Sequence, residues 1–220
     1  MKRRVLIERI PAPLASLYEK ATRLVIESYY SQVAEEIVSS LRKGTLLDLG
    51  SGPGYLPIEV VKRSPSIRCD GIDLSGRLIK MALVNARKAG VADRLNFEVG
   101  NAAKLRFEDE SYDMVISTGM LHMLRDPVRM LKECYRVLKQ GGEAWIYDPA
   151  RVSSQMDKEK WKASLNVMER LSYVLFKLYL RVNPAYTYGR EQVEEMIAAT
   201  KFKEYEIEEE DREIKVKLRK

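Results

Sequence analysis

Apolar positions along this chain switch between two spacings, and the switches mark out its elements. Over residues 14–41, Leu14, Leu17, Tyr18, Ala21, Leu24, Val25, Tyr29, Val33, Ile37 and Leu41 recur at three- and four-residue steps, predicting helix with room for a break near Tyr30-Ser31. Gly44 reads as the glycine that ends it. The period then collapses: residues 45–49 are almost continuously apolar, as in a strand buried on both faces. A glycine-rich turn leads to a helix over 55–63, where Pro57 is tolerated in the first turn. Further strands are expected at 67–72, 95–99, 112–117 and 143–147, the last ended by Asp148-Pro149. A helix runs to Lys88, with Ser75 as N-cap and Gly90 as stop. Another spans 127–138, closed by Gly141-Gly142.

Beyond this alternation the pattern is helical again. Trp161, Leu165, Met168, Leu171, Leu175, Leu178 and Val182 keep helical spacing, and 171–180 is apolar nearly all round, which demands cover on more than one side. A helix over 189–199 follows. Two alternating runs, 202–208 and 213–218, are joined by Glu209-Glu210-Asp211-Arg212 and predict an antiparallel pair at a sheet edge. Strands alternating with helices predict an α/β fold with a mainly parallel sheet. There is no repeat and no linker, so 1–220 reads as one domain: N-terminal helices (1–43), a core (44–150), a helical insertion (151–188), and a terminal helix with a strand pair (189–220).

Composition narrows the class without naming a chemistry. Apolar residues at 45% and charged residues at 32% exclude a disordered or low-complexity chain. No run approaches the ~18 apolar residues of a membrane span, and Met1 to Glu8 lacks the apolar run of a signal peptide. The expectation is a cytoplasmic protein. The net charge of +6 permits an anionic partner without requiring one, and much of it sits in the two ends. Plentiful Glu, Lys and Arg with scarce Gln, Asn and His are the usage of heat-adapted proteins, so a thermophilic source is expected. Cys69 and Cys134, with a single His, form no metal-ligand pattern, and no metal is expected; they read as buried thiols.

The strongest chemical signal is Asp48-Leu49-Gly50-Ser51-Gly52-Pro53-Gly54, which follows a strand and opens a helix. Glycines there let backbone turn sharply and approach a ligand, and in open α/β sheets that crevice binds ligands. The spacing is Gly-x-Gly-x-Gly, not the Gly-x-Gly-x-x-Gly of dinucleotide binders, which suits a ligand without a pyrophosphate and argues against a nucleotide-linked dehydrogenase. Asp73 ends the second strand, where a carboxylate accepts from both ribose hydroxyls of an adenosine or caps the following helix. Leu74 would lie against the adenine.

With these residues the sequence resembles the class I S-adenosylmethionine-dependent methyltransferases, and within them the branch of ubiquinone and menaquinone biosynthesis C-methyltransferases. Residues 30–149 carry the likeness: 46–54, Gly71-Ile72-Asp73-Leu74-Ser75, Gly100 to Leu105, Phe107 to Asp113, Leu121-His122-Met123-Leu124, and Arg136 to Gly142. The resemblance implies a Rossmann-like seven-stranded, mostly parallel sheet with the last strand antiparallel, helices on both faces and a helical lid. It implies S-adenosyl-L-methionine as cofactor and S-adenosyl-L-homocysteine as product. Asp48 with Gly50, Ser51, Gly52 and Gly54 would hold the methionine part, and Asp73 the ribose. Asn101 stands where the family usually has Asp against the adenine amino group and keeps an acceptor there; the Ala102 N–H would meet a ring nitrogen. Ser117 and Thr118 would end near the methionine moiety. Tyr18 and Tyr30 would fold over the cofactor, or serve the core.

The reaction asks little of side chains, because the sulfonium already activates the methyl group and alignment supplies much of the acceleration. A base helps only where the acceptor must lose a proton. His122, the sole histidine, is a base or a pocket-lining residue. Ser117-Thr118-Gly119-Met120 is not the Asp/Asn-Pro-Pro-aromatic motif of nucleic-acid amino methylation, and no cysteine ends a strand at the site, so a nucleic-acid partner is not expected. The acceptor is expected to be small and apolar or aromatic; among Met156, Trp161, Met168, Tyr173, Phe176, Tyr179, Tyr186 and Tyr188, most read as helix packing and a few as the roof of its pocket. An RNA or protein acceptor, or cofactor binding without turnover, are the competing readings, and a basic stripe at the pocket mouth would favour a polymer. Peripheral membrane contact through 155–182 is the rival to a lid. Either a monomer or a homodimer is compatible with the sequence.

Overall fold

A computed structural model describes residues 29–149, 188–210 and 213–220. Seven strands form one sheet in the order β3-β2-β1-β4-β5-β7-β6. The strands are β1 (Gly44–Leu49), β2 (Ile67–Asp73), β3 (Leu95–Val99), β4 (Tyr112–Thr118), β5 (Leu138–Pro149), β6 (Glu204–Glu210) and β7 (Glu213–Arg219). Pairing is parallel from β3 through β5, whereas β7 runs antiparallel to both β5 and β6. The expected seven-stranded sheet with its last strand reversed is therefore the sheet observed. Order reverses at β1, between β2 and β4, which opens a crevice at the carboxyl ends of these strands.

Helices cover both faces. Helix α1 (residues 29–40), α2 (Tyr55–Arg63) and α3 (Gly76–Lys88) pack on one side with Leu46, Ile67, Phe97, Met114, Ile116, Trp145 and Tyr147. Helices α4 (Pro127–Val137) and α5 (Arg190–Ala198) pack on the other, over Leu47, Leu49, Val115, Ile146 and Val216. This division follows from strand alternation: Leu46 and Leu47 are adjacent yet belong to opposite cores. Helix starts follow local chemistry. The Ser75 hydroxyl accepts from the Leu78 N–H, and Asp126 accepts from the Arg129 N–H with Pro127 in the first turn.

Three expectations need correction. Gly44 does not cap α1, which ends at residue 40; it opens β1, where a Cβ would meet Asp113 Oδ2 at 2.5 Å. The Gly141-Gly142 pair does not close α4 either. That helix ends at Val137 and β5 begins at Leu138, five residues before the expected strand. Gly141, at φ 76°, lies in an irregularity where register jumps from Tyr112↔Leu138 to Met114↔Glu143. There the chain's own end joins in: the Gly141 N–H donates to the Lys220 carbonyl, and the Lys220 N–H to that of Gly142. Finally, the first edge run begins at Glu204 rather than at residue 202, because Phe202 is buried in the core beside Tyr135, at 5.1 Å between rings.

The link from β3 to β4 contains no helix. Arg136 on α4 holds it instead, donating to the carbonyls of Phe107 (2.8 Å) and Leu105 (3.3 Å) and to Asp109. Glu133, bonded twice to Arg136, accepts from the Leu105 N–H at 2.7 Å. Among the described residues, no helix is long and apolar enough to cross a membrane. Residue 18, the helical pattern over 14–28, and the aromatic residues expected at 156–186 lie outside the described residues. Tyr188 is described and packs against the α4–α5 core.

Candidate active site

A cavity of about 290 Å³ opens at the carboxyl ends of β1, β2 and β4. Its floor is the glycine loop. Gly50 and Ser51 both donate to the Ile72 carbonyl at 2.9 Å, which folds the loop back onto β2. Gly52 adopts φ 52°, and a Cβ built there meets nothing within 4 Å. Gly52 lines the cavity, so that empty space belongs to the ligand's side of the loop. Gly54 differs. A Cβ there would press Phe97 at 2.8 Å and Ala82 at 3.0 Å, so this glycine admits the core beneath α2 and does not line the cavity. Its expected place among the cofactor contacts is corrected to a packing role.

Asp73 binds the loop to the next helix. Its Oδ2 accepts from the Gly52 N–H at 3.1 Å and its Oδ1 from the Ser75 N–H at 2.7 Å. Burial raises this carboxyl above its usual range, and the two N–H donors pull it back. Each oxygen retains a lone pair for hydroxyl donors from the cavity side. The capping reading and the ribose reading are thus compatible. Leu74, Asn101, Ala102, Thr118 and Tyr30 also line the cavity. Asn101 Oδ1 is engaged with the Ala103 N–H at 2.8 Å, which leaves one lone pair for an incoming donor. Thr118 Oγ1 lies 3.5 Å from the Tyr30 hydroxyl, joining α1 to β4 across the opening.

Two expected residues lie beneath the cavity instead of on its wall. Asp48 is 2% exposed and Ser117 1%. Asp48 Oδ1, Ser51 Oγ and Ser117 Oγ are buried and lack a hydrogen-bond partner among the described residues. Buried polar atoms are rarely left unpaired, so three at one end of the sheet mark a place completed by a ligand or solvent. Burial first, then the charge of Asp73, pushes Asp48 up to about 8. A cation beside it would reverse that shift. An amino-acid ammonium and a sulfonium fit this donor-poor, acid-rich floor, so the residues suit S-adenosylmethionine.

His122 is in a short helix, Leu121–Met123, directly after β4. It does not line the cavity, although Met120 and Met123 on either side of it do. Its ring meets Asp148, a residue the sequence marks only as a strand end. Met120, Met123, Leu124, Arg125, Asp126 and Arg129 complete the wall and were not legible as site residues. Their one sequence signal is position after β4, where a crevice residue is expected. Cys69 and Cys134 are free and buried, and burial drives both thiols upward, away from reactivity. Among the described residues no group of three His, Cys, Asp or Glu side chains is placed to hold a metal.

The sheet order, the reversed last strand and the glycine crevice define a class I methyltransferase fold. Residues 47–146 match the family described as a methyltransferase domain. In sequence and fold the chain is similar to class I S-adenosylmethionine-dependent methyltransferases, and the relatives it matches include ubiquinone and menaquinone methyltransferases. It is 28% identical over 138 residues to the ubiquinone/menaquinone biosynthesis C-methyltransferase UbiE of Geotalea daltonii, across 62% of this chain and 59% of that protein. It thus spans less than two thirds of that relative's length. It is 26% identical over 188 residues to the demethylmenaquinone methyltransferase of Porphyromonas gingivalis, across 83% and 75% of the two chains. A crystal structure of a Methanococcus maripaludis protein assigned as S-adenosyl-L-methionine-dependent methyltransferase superposes with a TM-score of 0.76 at 24% identity, across 100% of this chain and 97% of that one.

Proposed function

We propose that this chain transfers the methyl group of S-adenosylmethionine to a small, apolar or aromatic acceptor. The observation that carries the reading is the buried Asp48 Oδ1, without a partner among the described residues, beneath the open cradle of Gly52. Asp48, Gly50, Ser51 and Gly52 hold the methionine end, Asp73 the ribose, and Asn101 with Ala102 the adenine. Tyr30 and Thr118 close the side, with Ser117 beneath. When bound, the cofactor supplies an already activated methyl group; the chain's part is to align the acceptor and exclude water. The relatives' named quinone substrates support an apolar ring acceptor. Cavity charge supports a small acceptor over a polyanion, since Arg125 and Arg129 are matched by Asp73 and Asp126. Residues 151–188 would roof the acceptor.

Calorimetric titration with S-adenosylmethionine and S-adenosylhomocysteine tests the first half of this reading. Asp73→Ala should weaken both by about 2–3 kcal/mol through loss of charge-assisted hydrogen bonds. Wild-type affinity in that variant sinks the ribose assignment. The second half is tested with methyl-labelled cofactor against a demethylated naphthoquinol, a phenol, an aliphatic amine, total RNA and a protein extract. Label in a small aromatic acceptor is expected. Label in RNA or protein alone overturns the acceptor class, and binding without transfer to anything overturns the enzyme.

A further inference from the structure

We propose that Asp148 is a positioning residue that holds the His122 imidazole with Nδ1 protonated, leaving Nε2 to receive the proton of an acceptor that must lose one on methylation. The inference rests on the methyl-transfer reading above and names the acceptor's chemistry: a hydroxyl, a carbon acid beside one, or a protonated amine. Asp148 ends β5 opposite Ile214, and its side chain is fully buried. Both of its oxygens meet His122, and the Leu121 backbone N–H also donates to the carboxyl. Oδ2 accepts from the His122 backbone N–H at 3.0 Å, and Oδ1 lies 3.0 Å from His122 Nδ1. The first bond fixes where the residue sits, and the second fixes how its ring is turned. Burial raises the Asp148 carboxyl and its bonds to His122 pull it back; in its ionised form it has no proton to give, so Nδ1 is the donor and Nε2 carries the lone pair.

The rest of the ring's surroundings support a working base over a core histidine. The side chain keeps 13% of its surface exposed. Nε2 has no partner among the described residues and is not among their buried unpaired atoms. Met120 and Met123, on either side in sequence, line the cavity. In the transfer, the electron pair of the acceptor's X–H bond becomes the new bond to the methyl carbon, and the proton passes to Nε2. The pair of the broken carbon–sulfur bond stays on sulfur, which becomes neutral. The charge that leaves the sulfonium thus ends on an imidazolium beside the Asp148 carboxylate, and no other reactant is needed.

His122 is the only histidine, so ¹⁵N spectra of the full chain report it without assignment. In the neutral ring, Nδ1 should carry the proton, and Asp148→Asn should move population to the Nε2–H form. A wild-type ring protonated on Nε2, or a variant with unchanged tautomer, overturns the proposal. The wild-type spectrum needs no variant, so a misfolded Asp148→Asn leaves the test decisive. With 1,4-naphthohydroquinone as probe acceptor, His122→Gln and Asp148→Asn should each lower kcat on the order of 10²- to 10⁴-fold, with cofactor affinity by calorimetry within about twofold of wild type. Wild-type kcat in either variant overturns the base. If wild type binds no cofactor, or methylates nothing, the function reading fails instead, and the tautomer still decides what Asp148 does.

Discussion

Asp48 titrates at about 8 because burial and Asp73 both oppose its charge. In the unfolded chain a carboxyl of this kind ionises near 3.8. Between those values the folded chain holds a proton that the unfolded chain has released. Stability from this group is therefore full below 3.8, falls as pH rises, and is lost above about 8. Asp48→Asn cannot titrate, so its melting temperature relative to wild type should climb steadily from pH 5 to pH 8. A constant difference would show that Asp48 stays ionised in the fold. Binding has the opposite sign. A cationic ligand favours the ionised form, so wild-type affinity for S-adenosylmethionine should rise with pH up to about 8, with proton release seen as a buffer-dependent binding enthalpy. The loop glycines separate in the same way. Gly52→Ala should cost roughly 1–2 kcal/mol for its left-handed backbone and weaken the cofactor, since the new methyl enters the cavity. Gly54→Ala adds overpacking against Phe97 and Ala82, about 1–3 kcal/mol more, with its larger effect on the melting temperature. Equal thermal losses in the two would merge their roles. The sequence makes both glycines look alike; only the neighbours of each Cβ tell ligand space from core space.

At the scale of elements, the β3–β4 link shows how a segment without helix or strand is held in place. Arg136 spans from α4 to two backbone carbonyls and Asp109, with Glu133 locking its planar fork. The link carries Asn101, Ala102 and Ala103 into the cavity wall. Arg136→Ala should cost about 2 kcal/mol or more, since buried carbonyls lose a charged donor, and it should weaken cofactor binding as well. Arg136→Lys should not restore either, because an ammonium cannot reach all the acceptors of a planar fork. Full rescue by lysine would reduce the network to simple charge. The sequence presents Arg136-Val137-Leu138 as the end of a helix, and helical spacing hides that Leu138 already pairs with Tyr112. The Gly141-Gly142 stop was a sound local inference overruled by a strand partner and by the chain terminus.

Across the whole molecule, α1 meets β7 and β5 over the outer part of the sheet. Facing pairs on β6 and β7 alternate in sign, Glu204 with Arg219, Glu206 with Lys217 and Glu208 with Lys215. Among the described residues β6 is the sheet's last strand, and its acidic side chains disfavour pairing with a second copy. Lys215 bonds Glu36 of α1 and lies over the rings of Trp145 and Tyr147, at 5.7 and 5.3 Å. The Tyr147 hydroxyl reaches the same Glu36, and Tyr29 donates to Glu213. This seam holds the helix that brings Tyr30 to the cavity. Lys215→Ala should speed hydrogen exchange in α1 and weaken cofactor binding severalfold, leaving exchange in β1 and β4 unchanged. Unaltered exchange in α1 would mean that apolar contacts of Val33, Ala34 and Ile37 suffice.

The sequence by itself determined the strand–helix alternation, the glycine crevice and the acid that closes β2. Each depends on contacts a few residues apart, where backbone sterics and hydrophobic period leave few alternatives. It also carried the antiparallel pairing of β6 with β7, through two alternating runs joined by a short polar turn. Tertiary structure alone decided which glycine faces the cavity, where β5 begins, and that Asp48 Oδ1 is buried without a partner among the described residues. It alone brought Asp148 to His122 across 26 residues of chain. These outcomes depend on what lies opposite a residue in space, and the residues opposite come from strands and helices far away in the chain.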